Sequence, residues 1–299
     1  MTTRDIFIVV VINLIWGFNI VASKYGVGLV PPLFFTAMRF VILAVVLLPL
    51  LRMHKGQMKL LLSIAMTMGV LHFGIMFVGL SMAGDVSSVA IAIQLGIPFA
   101  TILSVIFLGE RLSIMRFIGI LLAFGGVMIV GFDPVVFDYI GALMTVAFAS
   151  LFGAIGLLLM KQLRNVGIFE LQGWIATVSW PLLALASLFL EQNQVQMTMD
   201  ASWWLWPTVL YTSLAASLLG HGGMYYLIGR YDISHVTPTF VLATVFAIIF
   251  GVTLLGDTLT ARMLIGGVAT LAGVLIILLH RGTPVSPTGG PVALPETRN

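Results

Sequence analysis

The sequence predicts an all-α polytopic membrane protein: ten transmembrane helices forming two inverted five-helix repeats, with both termini in the cytoplasm. Three observations predict it. Of the 299 residues, 60% are apolar and 8% charged, where an ordinary soluble domain carries about 25% charged residues. Ten apolar runs of helical length follow one another, separated by short polar breaks. A shift of 147 residues lays part of the second half of the chain on the first.

The low charge excludes the soluble globular classes, because so few charged side chains could not cover a water-facing surface. Cysteine is absent, which removes disulfides, thiol catalysis and cysteine metal sites. The net charge of +3, from 14 basic and 11 acidic residues, matters less than where those charges fall.

In chain order the runs are 6–23, 33–51, 60–80, 89–108, 117–132, 140–160, 169–190, 203–227, 236–255 and 263–279. Each is close to the roughly 20 residues that span a hydrocarbon core as a helix. A helix also satisfies its own backbone donors and acceptors in lipid. The runs do not alternate as the strands of a membrane barrel would. The first run lacks a small-residue cleavage site, and Asn13, Trp16 and Asn19 interrupt it, so it reads as a span and not as a cleavable signal. Residues 281–299, with proline and glycine throughout, read as a disordered cytoplasmic tail.

Orientation follows from the basic residues. Arg4, Arg52, Lys55, Lys59, Arg111, Arg116, Lys161, Arg164, Arg230, Arg281 and Arg298 fall on one side, and only Lys24 and Arg262 on the other. That asymmetry assigns both termini to the cytoplasm.

The 147-residue shift pairs Leu108-Gly109-Glu110-Arg111-Leu112-Ser113 with Leu255-Gly256-Asp257-Thr258-Leu259-Thr260. It also pairs Gly119 with Gly266, Gly126 with Gly273, Asp85 with Asp232 and Phe99 with Phe246. From Asp85 to Val130 it gives 16 identities in 46 positions. The units are therefore residues 1–132 and 133–280. Because each holds five spans, an odd number, the second copy must be upside down. Inverted repeats are a recurring transporter plan, with the substrate near the midplane between them.

These residues carry a resemblance. Trp16-Gly17, Pro31-Pro32 with Arg39, and Leu108-Gly109-Glu110-Arg111-Leu112 resemble the EamA-type branch of the drug/metabolite transporter superfamily, over residues 1 to about 280. The second copy departs from the pattern at Asp257, where Glu is commoner, and at Phe152-Gly153, where Trp-Gly is expected. The resemblance implies a central cavity lined by helices 1, 3, 4, 6, 8 and 9, with helices 5 and 10 packed outside. Within the family the chain is most similar to exporters of amino acids, aromatic and other neutral ones included.

All eleven acidic residues fall in loops, tails or helix ends of the predicted spans. An intramembrane carboxylate is the usual means of coupling to protons or holding a cation, and none is predicted at mid-depth. A neutral or zwitterionic solute fits this better than an organic cation, which is the alternative substrate class. Candidate cavity residues share helical faces. They are Asn13 and Trp16 in the first helix, and His72, Met76 and Phe77 in the third. Gln94 and Pro98 follow in the fourth, Phe152 in the sixth, Ser217, His221 and Tyr225 in the eighth, and Phe240 and Thr244 in the ninth.

Each candidate has a plainer reading. Pro98 is expected to free a carbonyl beside Gln94, and Pro238 to act similarly near Thr237, unless a neighbouring hydroxyl satisfies it. His72 and His221 either meet substrate or are neutral imidazoles bonded to a hydroxyl or carbonyl. Met68 and Met76 are adaptable wall or core filler. Arg39 is expected to make a structural hydrogen bond to a neighbouring helix end, the family having arginine there. Gly119, Gly126, Gly266 and Gly273 read as close helix packing. Trp203, Trp204 and Trp206 read as an interfacial belt.

No metalloprotease, serine-nucleophile or paired-aspartate motif occurs, which weighs against the other alternative, an intramembrane enzyme acting on lipid. No cofactor, metal or nucleic acid is expected. The prediction is an exporter of neutral or zwitterionic amino acids and related metabolites in the plasma membrane, working by alternating access without obligatory proton coupling.

Overall fold

The computed structural model describes residues 1–228, 230, 231 and 236–280, without the side chain of Tyr225. The predicted tail, 281–299, lies outside the described residues, as does Asp232. Nine helices among the described residues are long and apolar enough to cross a membrane. They are α1 (Thr3–Leu29), α2 (Pro32–Leu50), α3 (Met58–Met82), α4 (Val86–Leu108), α5 (Ile114–Gly131), α6 (Ile140–Met160), α7 (Ile168–Leu190), α9 (Thr237–Leu255) and α10 (Ala261–Leu279). Between α7 and α9, the contiguous segments Leu205–Leu210, Tyr211–Gly220 and His221–Ile228 form α8. No strand occurs among the described residues.

Local chemistry sets the ends, and it repeats. Helix α4 ends on Gly109 (φ 67°) and α9 on Gly256 (φ 77°), left-handed positions that favour glycine. After these turns, Ser113 accepts from the Arg116 amide at 3.3 Å to cap α5. Thr260 accepts from the Met263 amide at 3.1 Å to cap α10. Each pair is separated by the 147-residue shift. The sequence repeat is thus a repeat of caps and turns.

The interior of the spans repeats too. In α3 the backbone widens to π geometry over Ala65–Phe73, and in α8 over Tyr211–Gly220. The shift superposes these segments to within a residue. Wide π turns weaken the regular carbonyl ladder and are frequent at functional positions.

Packing relates the repeats by an inversion. Helix α5 lies against α10, α2 against α7, and α1 against α9 as α6 is against α4. A Cβ on Gly119 would meet the Gly273 carbonyl, and one on Gly126 the Gly266 carbonyl. Gly119 is equivalent in sequence to Gly266, yet it touches Gly273. Equivalent helices therefore cross antiparallel, as inverted copies must.

The structure corrects the expected effects of two prolines. Pro98 cannot donate to the Gln94 carbonyl, but the Ile97 amide takes it at 3.2 Å. The result is a tight break between Val86–Ile93 and Gly96–Leu108, with no carbonyl freed beside Gln94. Pro238 stands in the first turn of a 3-10 segment, Thr237–Val241, where its missing N–H is no loss.

Candidate functional site

Helices α2, α3, α6, α7 and α8 enclose a cavity of about 260 Å³, which corrects the expected lining: α2 and α7 contribute to the wall, and α1, α4 and α9 contribute no residue to it. Its wall runs from mid-span residues Arg39 and Phe73 to Met160 and Ile168, which border the loop carrying Lys161 and Arg164. The cavity thus extends from mid-depth toward the side of the basic loops. Its size lies just under the roughly 300–1,000 Å³ of drug-sized ligand sites, which suits a small metabolite. Two other grooves, of about 330 and 520 Å³, are lined by apolar residues such as Met128 and Leu254 and lie at the outer surface of the bundle. Lipid tails suit them better than a polar solute does.

The strongest polar feature of the cavity is Arg39, which is 5% exposed. Its Nη2 donates to the Thr212 carbonyl at 2.8 Å, within the π segment of α8. Its guanidinium lies 4.7 Å from the ring centre of Phe77 and 5.7 Å from that of Phe73. Nε and Nη1 are buried with no hydrogen-bond partner. Ion pairs among the described residues lie elsewhere, at His54–Glu170, Arg116–Glu110, Lys161–Glu110 and Arg230–Asp5. Burying a cation without a counter-ion costs several kcal/mol, and each ring face offsets about 0.5–2 kcal/mol of that. The site is therefore electrostatically incomplete toward an anion.

A second incomplete group stands in the same wall. Gln172 of α7 is 8% exposed, and neither its Nε2 nor its Oε1 has a partner. Sequence reasoning passed over it, although it is the polar member of the α7 face that holds Ile168, Leu171 and Ile175. That spacing is the signal that would have found it.

Of the sequence-predicted residues, Ser217 and His221 line this cavity. His221 Nδ1 donates to the Ser217 carbonyl at 3.0 Å in its own helix. Next to it, Trp16 Nε1 donates to the Ala216 carbonyl at 3.1 Å. The Trp16 ring stands edge-on to His221 at 5.4 Å and to Phe240 at 5.1 Å. Helices α1, α8 and α9 thus converge beside the cavity. His72 Nδ1 donates to the Ala149 carbonyl of α6 at 2.8 Å and abuts Gly153.

The remaining candidates are dispersed. Phe77 is core, packed on Phe35, and reaches the cavity only through Arg39. Met76 packs on the same cluster. Asn13 is buried and bonds the Val9 carbonyl of its own helix at 2.7 Å, its Oδ1 unpartnered. Phe152 packs on Phe148, Thr244 is buried in α9, and Gln94 and Pro98 form the α4 break. The side chain of Tyr225 lies outside the described residues. Among the described residues no group of His, Asp or Glu side chains is arranged to hold a metal ion.

On the opposite side, the second repeat clasps the first. Asp257 Oδ2 accepts from the Val86 and Ser87 amides, both at 2.9 Å, and from the Ser87 hydroxyl at 2.7 Å. It thereby caps α4 from the loop before α10. Glu191 similarly accepts from the Leu33 and Phe34 amides at 2.7 and 3.0 Å to cap α2. Lys24 donates to the Leu80 and Ala83 carbonyls at 3.0 and 2.5 Å, closing the end of α3. Asp85 stands beside them in a vestibule of about 330 Å³. Burial pushes its carboxyl above the usual carboxylate range, against the opposing hydrogen bond from Ser88.

Two matched helical halves, clasped on one side, hold between them a largely apolar cavity with a few polar groups, a plan that fits a membrane transporter. The chain belongs to the EamA-like transporter family, whose model matches residues 3–132 and 139–279. A Salmonella typhimurium protein named "Probable amino-acid metabolite efflux pump" is 28% identical over 92% of this chain and 95% of its own. An Escherichia coli protein of the same name is 25% identical over the same shares, 92% and 95%. A crystal structure with 18% identity superposes with a TM-score of 0.61 over 93% of this chain and 98% of that one. It shows the shared fold alone.

Proposed function

We propose that this chain exports neutral or zwitterionic amino acids and related small metabolites across the plasma membrane. The observation that carries the reading is the cavity between the repeats, where Arg39 and Gln172 hold unpartnered polar atoms and no acidic side chain among the described residues lines the wall. Such a wall suits a solute with a carboxylate, and its cation disfavours the organic-cation alternative. The efflux pumps named for amino-acid metabolites support the same class.

In this reading α8 is the tenth crossing, the termini and basic loops face the cytoplasm, and the cavity is the inward-facing site. The five-helix units, 1–132 and 133–280, rock about the antiparallel α5–α10 contact. The Asp257 and Glu191 clasps hold the outer side shut and release when the carrier turns outward. Candidate contacts beyond Arg39 and Gln172 are Ser217 and His221, with Trp16 and Phe240 as the adjoining aromatic wall. Among the described residues the wall has no acidic group, and in this reading a proton is not an obligatory partner.

Counterflow in proteoliposomes tests this. Vesicles loaded with unlabelled neutral amino acids should accelerate uptake of the labelled ones, with or without a proton gradient. No acceleration by any amino acid, from folded and inserted protein, removes the substrate class. Uptake that stops when only the proton gradient is collapsed removes the uncoupled mechanism.

A further inference from the structure

Arg39 has a twin that is not an arginine. Under the 147-residue shift Ala65 of α3 is equivalent to Thr212 of α8, and both stand at the start of the π segments. The Thr212 carbonyl is held by Arg39 of α2 at 2.8 Å, and the Ala65 carbonyl by the Ser179 hydroxyl of α7 at 3.2 Å. Since α2 and α7 occupy equivalent places in the two repeats, Arg39 and Ser179 perform one structural task on matched carbonyls.

The twin separates structure from function. In one repeat a neutral hydroxyl is enough to hold the carbonyl that the wide turn exposes. In the other, the same bond is made by one nitrogen of a buried guanidinium. The other two nitrogens, Nε and Nη1, are buried without partners, and the side chain lines the cavity. Bonding the carbonyl does not require that charge or those donors. Ser179, by contrast, is fully buried and is not part of the cavity wall.

We infer that Arg39 is the carboxylate anchor of the transport site, and that the substrate class is defined by a carboxylate. The inference rests on the amino-acid reading above and deepens it by naming the group recognised. A guanidinium fixed at Nη2 presents its remaining N–H donors in a plane that matches a carboxylate. The carboxylate of a bound substrate pairs locally with the buried Arg39 cation, while a zwitterion leaves the net charge of the cavity unchanged. Among the described residues of the wall Arg39 is the one fixed charge, and its place on one repeat makes the site polar along its length, although the scaffold is built from matched halves. A zwitterion then has a defined orientation, with its amine directed away from Arg39.

The test compares leucine and phenylalanine with their carboxamides, their decarboxylated amines and their des-amino acids, in counterflow by wild-type protein and by Arg39→Ser. The serine removes the charge and is too short to reach the Thr212 carbonyl from position 39, so the fold of the variant is read separately from its selectivity. Wild type is expected to prefer the carboxylates over the carboxamides at least about tenfold. Arg39→Ser is expected to lose that preference, with a monodisperse elution profile showing that the variant is folded. A folded variant that keeps the preference overturns the inference and leaves the amino-acid reading standing. If Arg39→Ser does not fold, wild-type protein decides alone: equal transport of carboxylates and carboxamides overturns the anchor. Transport of the des-amino acids without the amino acids supports the anchor and sinks the amino-acid reading. Transport of the amines alone overturns both.

Discussion

Gly126 faces Gly266 across the α5–α10 contact so closely that a Cβ on Gly126 would sit 2.4 Å from the Gly266 carbonyl oxygen. The reciprocal Cβ, on Gly266, would sit 2.5 Å from the Gly126 carbonyl oxygen. The Thr270 hydroxyl and the Val130 side chain also stand in the way, but the two carbonyls are backbone, which cannot rotate away. Between them the Thr270 hydroxyl bonds the Gly266 carbonyl at 2.8 Å.

Gly126→Val is therefore expected to force the two outer helices apart. Overpacking of this kind costs about 1–3 kcal/mol, and the fraction eluting as monodisperse protein should fall. Gly125, where an added Cβ meets nothing within 4 Å, is the control, and Gly125→Ala should leave the profile unchanged. Equal loss in both would mean that the contact is not a close-packed one.

The Asp257 clasp should be separable from stability. Removing it in Asp257→Ala deletes three hydrogen bonds between the repeats, so the outer vestibule should open more often. The chain has no cysteine, so a single Gly28→Cys, at a vestibule position with free space around it, reports access cleanly. Labelling by a membrane-impermeant maleimide should quicken by about threefold or more in the Asp257→Ala background. An unchanged rate would show that the clasp does not limit opening.

Trp16 and Trp203 should differ in kind. Trp16 holds the Ala216 carbonyl of the α8 π segment and packs on His221 and Phe240. Trp203 is 64% exposed and, among the described residues, its ring meets that of Trp204. Trp16→Ala is expected to lower transport by about tenfold, an aromatic cluster and a buried hydrogen bond being lost together. Trp203→Ala should stay within about twofold at equal expression. Similar losses would dissolve the distinction between cavity wall and interfacial belt.

Asp85 gives a pH-dependent prediction. Its Oδ1 caps α4 through the Ser88 amide at 2.6 Å, while its Oδ2 is buried without a partner. Asn caps as well as Asp, whereas Ala costs about 0.5–2 kcal/mol. Because burial raises the Asp85 carboxyl, the folded state binds a proton more tightly than the unfolded chain. Folding is thus penalised above the raised pKa, and the penalty fades as pH falls through it. Asp85→Asn should melt higher than wild type near neutral pH, with the gap closing toward acid, and Asp85→Ala should melt lower than Asp85→Asn throughout. A gap that widens toward acid would reverse the sign and refute the buried-carboxyl account.

Much of the fold was legible because lipid imposes a strong constraint on sequence. Apolar runs of span length, basic loops on alternate sides and matched glycines are each local in the chain, and each has one reading in a bilayer. The same constraint hides the cavity. Lipid tails are as apolar as a protein core, so the faces of a span that point to lipid and to its neighbours look alike. Phe77 shares a helix with His72 yet is core, and Gln172 lies in an apolar run without drawing attention to itself. Sequence alone determined the nine long apolar helices and the repeat, and it placed no carboxylate at the centre of a predicted span. Only the tertiary structure decided that Arg39 and Gln172 meet one cavity, and that Arg39 and Ser179 are twins on matched carbonyls. Those relations join helices more than a hundred residues apart through the inversion, and no local pattern of residues encodes a pairing across it.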